Sequence, residues 1–309
     1  MWGNRKAGPR VWDSMRFTKM QGVGNDFVVV DGDDLPPQML LPDLAVRTCD
    51  RKFGIGADGL LVVAREVPGA AFRMRMFNPD GSEDMCGNGL RCVSLYALRA
   101  GWLAGRTEFI VAVKGGTRNV RLLDVARDGR SAALGVDMGA PRFPGWKPSP
   151  NAEVYTTGMR VIGYPLVIEG ETFYITVVDT GSIHTVIFGT VPPDEATFQR
   201  VSPLIENHPL FPHRTSVLWA TPQGDSTVMV RIWERGVGET LGCGTGACAV
   251  GVAAQLYQGD GMGLFEQTVD VVSKGGTLRT TWPGEGTPVD MIGPAQIVYD
   301  GDFGLDPAP

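Results

Sequence analysis

Two cysteines stand in near-identical settings 157 positions apart (243 − 86), in Met85-Cys-Gly-Asn-Gly-Leu-Arg-Cys and Cys243-Gly-Thr-Gly-Ala-Cys. Each opens a helical pattern. A cysteine in the first turn of a helix faces unpaired backbone N–H groups and the positive end of the helix dipole, which lowers a thiol pKa from about 8.5 towards neutrality. Such a thiol can serve as a base. The neighbouring glycines let a carboxylate approach the same N–H groups closely. If the two turns face each other, a carboxylate held between them has thiols on opposite sides of its α-carbon. One thiolate removes the Cα proton, the opposite thiol donates one, and the helix N-termini stabilise charge moving onto the carboxylate oxygens. The outcome is racemisation or epimerisation without a cofactor.

A lone cysteine before a helix is ordinarily a small buried residue. The duplication is what singles out Cys86 and Cys243. Cys92 and Cys248, inside the two helices, read as core packing, and so does Cys49. The histidines His184, His208 and His213 show no paired spacing beside a cysteine turn, so no metal site is expected. His208 and His213 read as solvent-facing. Gly22-Val-Gly-Asn-Asp-Phe lacks the third glycine of a dinucleotide fingerprint and precedes a strand.

The elements that position the two turns also repeat. Phe72-Arg-Met-Arg-Met-Phe alternates as a half-buried strand and delivers Asn78-Pro-Asp-Gly-Ser-Glu-Asp into the first turn; Ser226 to Trp233 delivers Glu234-Arg-Gly-Val-Gly-Glu-Thr into the second. Leu90, Val93, Ser94, Ala97 and Leu98 share one face of the first helix, and Gly101 stops it. The second helix, Ala247 to Tyr257, is apolar around most of its circumference, as suits a helix enclosed by a sheet, and Gly259 stops it. A first hairpin presents Asn25 at a strand end, a short helix spans Leu44 to Arg51, and another covers Glu195 to Glu206. Strands are expected at Leu60 to Ala64, Thr107 to Val113, Thr117 to Leu123, Ala132 to Met138, Arg160 to Val167, Thr172 to Asp179, Val217 to Ala220, Thr268 to Ser273, Thr277 to Trp282 and Ala295 to Tyr299. The fold class is therefore α/β (α+β) in two related halves. A loose extension covers 1–14, one domain 15–130, a second 131–293, and 294–309 holds the last strand.

Composition narrows the function. The 309 residues carry a net charge of −6 with acidic and basic side chains interspersed, which leaves no basic stripe for nucleic acid and no polybasic segment for a membrane. No uncharged apolar run approaches a membrane span, and the first residues lack the apolar centre of a signal peptide. Five cysteines, an odd number, fit reduced cytoplasmic thiols better than a disulfide framework. The expected partner is a small molecule.

From Met15 to the C-terminus the chain resembles the diaminopimelate epimerase family. The resemblance rests on Gly22-Val-Gly-Asn-Asp-Phe, Phe77-Asn-Pro-Asp-Gly-Ser, Met85-Cys-Gly-Asn-Gly-Leu-Arg, Glu234-Arg-Gly-Val-Gly-Glu-Thr and Cys243-Gly-Thr-Gly, in family order and spacing. It implies two pseudo-symmetric domains, each a β-barrel-like sheet around a central helix, with the site in the cleft between them and the last strand returning to the first domain. It implies pyridoxal-independent interconversion of LL- and meso-diaminopimelate by Cys86 and Cys243. Gly87, Asn88, Gly244 and Thr245 match the turns that hold the reacting carboxylate, and Asn25, Asn78, Glu234 and Arg235 match substrate contacts. Glu234 and His184 match residues that tune the thiols and orient the amine. A homodimer with a contact near Tyr299 is implied as well. The family usually has asparagine where Ser182 and Ser216 stand, at positions that meet the distal amino acid group. Serine is shorter and offers one hydroxyl in place of an amide, so the distal pocket reads as larger, wetter or built for another side chain.

Three readings compete with diaminopimelate epimerisation: the same mechanism on ornithine, lysine or histidine; proline racemase or hydroxyproline epimerase chemistry, whose first turn usually carries histidine where Asn88 stands; and a non-catalytic carboxylate-binding module.

Overall fold

The structure, a computed structural model, describes residues 14–65, 67–146, 155–257 and 266–305. The first half contains β1 (Ser14–Gly22), β2 (Asn25–Asp31), helix α1 (Leu41–Cys49), β3 (Gly59–Ala64), β4 (Phe72–Phe77), β5 (Glu83–Asp84), helix α2 (Gly87–Arg99), β6 (Glu108–Val113), β7 (Gly116–Val125) and β8 (Ser131–Asp137). The second contains a short pair, β9 (Gly145–Trp146) and β10 (Tyr155–Arg160), then β11 (Tyr164–Ile168), β12 (Glu171–Asp179), β13 (Ile183–Phe188), helix α3 (Glu195–Glu206), β14 (Ser216–Pro222), β15 (Thr227–Glu234), β16 (Gly238–Thr240), helix α4 (Gly244–Leu256), β17 (Thr268–Ser273), β18 (Gly276–Thr281) and β19 (Asp290–Gly304).

Sheet pairing closes the first half into a ring. β1 pairs with β2, β2 runs parallel to β3, β3 pairs with β4, β4 runs parallel to β6, and β6, β7 and β8 follow as antiparallel neighbours. The eighth member is β19, from the far end of the chain, which pairs with both β8 and β1. The second half repeats the order from β11 through β15, β17 and β18 to the start of β19, with β13 parallel to β14 and β15 parallel to β17. One strand therefore belongs to both sheets. The boundary expected between 130 and 131 falls in the β7–β8 turn, and β8 remains hydrogen-bonded within the first sheet.

Each sheet wraps around a helix. In α2, ten residues, among them Leu90, Val93 and Leu95, are buried, and in α4 ten, among them Val250 and Val252. The two helices contribute to a single apolar core that runs through both halves, and α1 and α3 cover smaller outer clusters. Cys92 and Cys248 are fully buried in the central core, and Cys49, the last residue of α1, is buried in an outer cluster, as expected of packing residues. The stop at Gly101 is observed: its φ of +77° lets its N–H bond to Leu98 O at 3.0 Å while Trp102 N–H reaches Ala97 O at 3.0 Å.

Several boundaries differ from those read in the sequence. α1 begins at Leu41 because Pro42 sits in its first turn, where a missing N–H costs nothing. The single strand expected over Arg160 to Val167 is split, with Gly163 left-handed at φ +59° between the pieces. Strand β13 was not expected; it is held between β12 and β14, a tertiary setting without a local signature. β1 takes in Ser14, the last residue of the expected extension; 1–13 and Gly259 lie outside the described residues.

Candidate active site

Cys86 and Cys243 are the N-cap residues of α2 and α4, with nearly equal backbone angles (φ −134°, ψ 122° and φ −132°, ψ 119°). Equivalent hairpins, β4–β5 and β15–β16, deliver them, so Asn78 and Arg235 stand at matching turns. The first turns of the two helices adjoin: a methyl group on Gly244 would come within 3.1 Å of Asn88 Oδ1. Each thiol is half-buried.

The thiols have different partners. Cys86 S–H donates to Asn25 Oδ1 at 3.5 Å, and Asn88 Nδ2 donates to the same oxygen at 3.3 Å. Cys243 Sγ accepts the Gly246 N–H at 3.4 Å and lies 3.4 Å from the Thr245 hydroxyl. Glu234 lies beside Cys243, its Oε1 held by the Thr240 hydroxyl at 2.6 Å. Thr180 donates to Thr245 O at 2.8 Å and ties the β12–β13 turn to the start of α4.

Burial overrides the helix dipole in setting thiol acidity. It pushes Cys86 up to about 11 against the pull of the Gly89 and Asn88 N–H groups, and it pushes Cys243 well above the ordinary thiol value with the help of the Glu234 charge. The lowering expected from the helix starts is thus present but outweighed. Burial also raises the Glu234 carboxyl above its ordinary value.

His184 is buried, and burial together with the Arg235 charge pushes it down to about 3, so it is a neutral imidazole at neutral pH. Its Nε2 lies 3.0 Å from Ser182 Oγ, while Nδ1 is buried without a hydrogen-bond partner. A proton on Nε2 donated to Ser182 leaves only a lone pair at Nδ1, the less costly arrangement. Ser216 sits opposite His184 in the β13–β14 register, and its Oγ accepts the Arg235 N–H at 3.2 Å. Asn78 donates to Ser82 Oγ at 3.0 Å in its own turn. His213 is exposed as expected, but His208 is half-buried and its Nδ1 accepts the Leu210 N–H at 3.3 Å, closing a turn.

Three contributors escaped sequence reading. Asp58, in the glycine-punctuated loop before β3, accepts Asn25 Nδ2 at 2.7 Å and the Asp26 N–H at 3.1 Å. Arg91 is the one charged side chain among the buried residues of α2. Val23, at the tip of the β1–β2 hairpin, is buried with a left-handed φ of 51°, costly for a β-branched residue, and packs against Gly242, Gly275 and Gly276 of the second half. That tip reaches the residue before Cys243 while its strand holds Asn25 against Cys86.

The family model described as diaminopimelate epimerase matches residues 17–144 and 176–298, one match on each half. The chain is 44% identical over 298 residues to the diaminopimelate epimerase of Desulforudis audaxviator, covering 94% of this chain and 99% of that one. It is 42% identical to that of Moorella thermoacetica, covering 94% and 100%. Among solved structures, a probable proline racemase from Agrobacterium radiobacter has the same fold at 13% identity, with a TM-score of 0.65 over 95% of this chain and 94% of that one. A Bacillus anthracis PhzF-family protein shares it at 18% identity and a TM-score of 0.63, over 94% and 99%. On its two matched halves and near-full-length likeness, the chain belongs to the diaminopimelate epimerase family.

Proposed function

We propose that this chain is a cofactor-independent amino-acid epimerase that converts LL-diaminopimelate to meso-diaminopimelate, a step of lysine biosynthesis. The observation that carries the reading is the placement of Cys86 and Cys243 as N-cap residues of two enclosed helices whose first turns adjoin. In this scheme the N–H groups of Gly87, Asn88, Gly244 and Thr245 hold the reacting carboxylate. Glu234 takes the Cys243 proton; the resulting thiolate removes the Cα proton; Cys86 S–H delivers one to the other face. The reverse reaction exchanges the two roles. Asn25, Asn78 and Arg235 line the substrate, and neutral His184 orients the reacting amine. No described helix is long and apolar enough to cross a membrane, and a cytoplasmic setting keeps both thiols reduced.

Ser182 and Ser216 favour a second reading, the same chemistry on ornithine, lysine or histidine. Both hydroxyls already have protein partners, so a distal substrate group meets less hydrogen-bonding capacity than two amides supply. Chiral chromatography after incubation with a panel of these amino acids decides between them. Conversion of LL-diaminopimelate is expected; its absence beside turnover of another member overturns the assignment.

We also propose a homodimer built on β19. Tyr299 is 44% exposed there, edge-on to Phe17 at 5.9 Å, and its neighbour Val298 is 47% exposed. Sedimentation velocity is expected to give a dimer for the wild type and a monomer for Tyr299→Asp; a monomeric wild type at micromolar concentration overturns it.

A further inference from the structure

Arg91 is the largest fully buried side chain among the described residues, and no carboxylate pairs with it there. Its guanidinium folds back beneath the first turn of α2. Nη2 donates to Asn88 Oδ1 at 2.8 Å, Nε to Pro294 O on β19 at 3.1 Å, and Nη1 to Gly87 O at 3.5 Å with Met291 Sδ at 3.7 Å. A cation removed from water and met only by neutral acceptors costs the fold stability. The cost points to a use.

That use is visible in the amides it touches. Asn88 spends its oxygen on Arg91, so its Nδ2 faces Asn25 Oδ1 at 3.3 Å. At the other end, Asn25 Nδ2 donates to Asp58 Oδ2 at 2.7 Å, and Arg51 holds Asp58 Oδ1 at 2.7 Å. An amide's two ends are usually interchangeable by rotation, but a guanidinium only donates and a carboxylate only accepts. With one at each end, neither asparagine can turn over. The chain Arg91, Asn88, Asn25, Asp58 therefore presents a carbonyl oxygen to Cys86 Sγ, which favours the thiol, while the cation behind it favours the thiolate. A group that both gives and takes a proton requires that balance.

We propose that Arg91 is a positioning residue for Cys86: it locks Asn88, and with Asp58 also Asn25, in one amide orientation, and of the two site thiols its buried charge supports the anionic form of Cys86. The inference deepens the two-thiol reading above. Other groups facing Cys86 are Glu234 and Cys243 from the second half and Cys92 on its own helix, and Asp58 stands behind Asn25. Burial dominates the raised pKa of Cys86, and Arg91 is among the influences pulling it back. No such influence of Arg91 reaches Cys243.

The test is the pH dependence of iodoacetamide alkylation at Cys86 and Cys243, resolved by peptide mass spectrometry, in the full-length wild type, Arg91→Met, Arg91→Lys and Asp58→Asn. Alkylation needs no substrate, so its result stands whether or not the chain epimerises diaminopimelate. Arg91→Met should move the Cys86 midpoint up by about one pH unit, slowing alkylation about tenfold near neutrality, and leave Cys243 in place. Arg91→Lys should retain most of the wild-type midpoint. Asp58→Asn removes an anion and frees the Asn25 amide to offer its NH2 group to sulfur, so the midpoint should move down. General loosening of the fold would move both thiols in one direction. An unchanged Cys86 midpoint in Arg91→Met, or a parallel shift of both thiols, overturns the proposal. If Arg91→Met fails to fold, Asp58→Asn decides by itself: a downward shift at Cys86 supports the chain of amides, and no shift or an upward one overturns it.

Discussion

Cys243→Ser and Cys86→Ser are each expected to lower epimerisation by about 10³-fold or more, at the upper end of what one general acid or base supplies. Serine is close in size and keeps the side-chain cap on Gly246 N–H at 243, while Cys86 makes no side-chain cap to lose, so both helices should still form and the melting temperature should change little. What is lost is acidity. An alkoxide is not accessible near neutral pH in a site whose burial already pushes the Cys86 thiol up to about 11 and raises Cys243 well above the ordinary thiol value. Cys243→Ser leaves Gly246 N–H and the Thr245 hydroxyl beside an oxygen that Glu234 cannot deprotonate; Cys86→Ser leaves Asn25 Oδ1 with a donor that does not release its proton. Loss of the Cα-proton resonance in deuterated buffer, followed by NMR with chiral chromatography of the products, measures both effects. Retained exchange in both variants would rule out the two-thiol mechanism, whereas a wild type that shows no exchange, unchanged in both variants, would make the non-catalytic binding module the better reading.

Gly275→Ala is expected to be nearly as damaging although Gly275 carries no functional group. A methyl there overlaps the carbonyl oxygen of Val23, and a methyl on Gly242 overlaps the same atom. The hairpin tip and the turn before Cys243 would have to separate by on the order of 1 Å, a displacement that costs about 10²-fold in rate when it misaligns reacting groups. Overpacking adds about 1–3 kcal/mol of destabilisation. Gly304→Ala, where a methyl meets open space, is the control. The comparison reads kcat and the melting temperature of both variants. A kcat for Gly275→Ala within about twofold of the control would show that the hairpin tip does not set the distance between the thiols.

The two cysteine turns were legible because a thiol at a helix start has a short local signature, and its repetition supplies the pairing that no single motif gives. α3 was legible for a similar reason: Asp194 caps it through Thr197 N–H at 2.8 Å, and its apolar positions recur at helical spacing. What sequence did not yield is long-range. β13 has no alternation, and its place depends on the parallel neighbour β14. Val23 reads as part of a glycine-flanked turn, and nothing local reports that it packs against three glycines more than 200 positions away. Arg91 stands in the quoted motif with no local sign that the first sheet encloses it. The sign of the thiol shift also depends on burial, which the local pattern of a helix start does not report.

β19 closes the first barrel, where Thr18 donates to Asp300 across 282 positions of chain. The first half therefore leaves the ribosome as an unclosed sheet with two exposed edges, β1 and β8, and waits for almost the whole protein to be synthesised. Loop closure over such a span is slow, and an open edge in the interval is a site for pairing with another chain. The strand shared by both sheets makes folding of the two halves one event, so neither half is a module that can be shuffled, excised or inherited by itself.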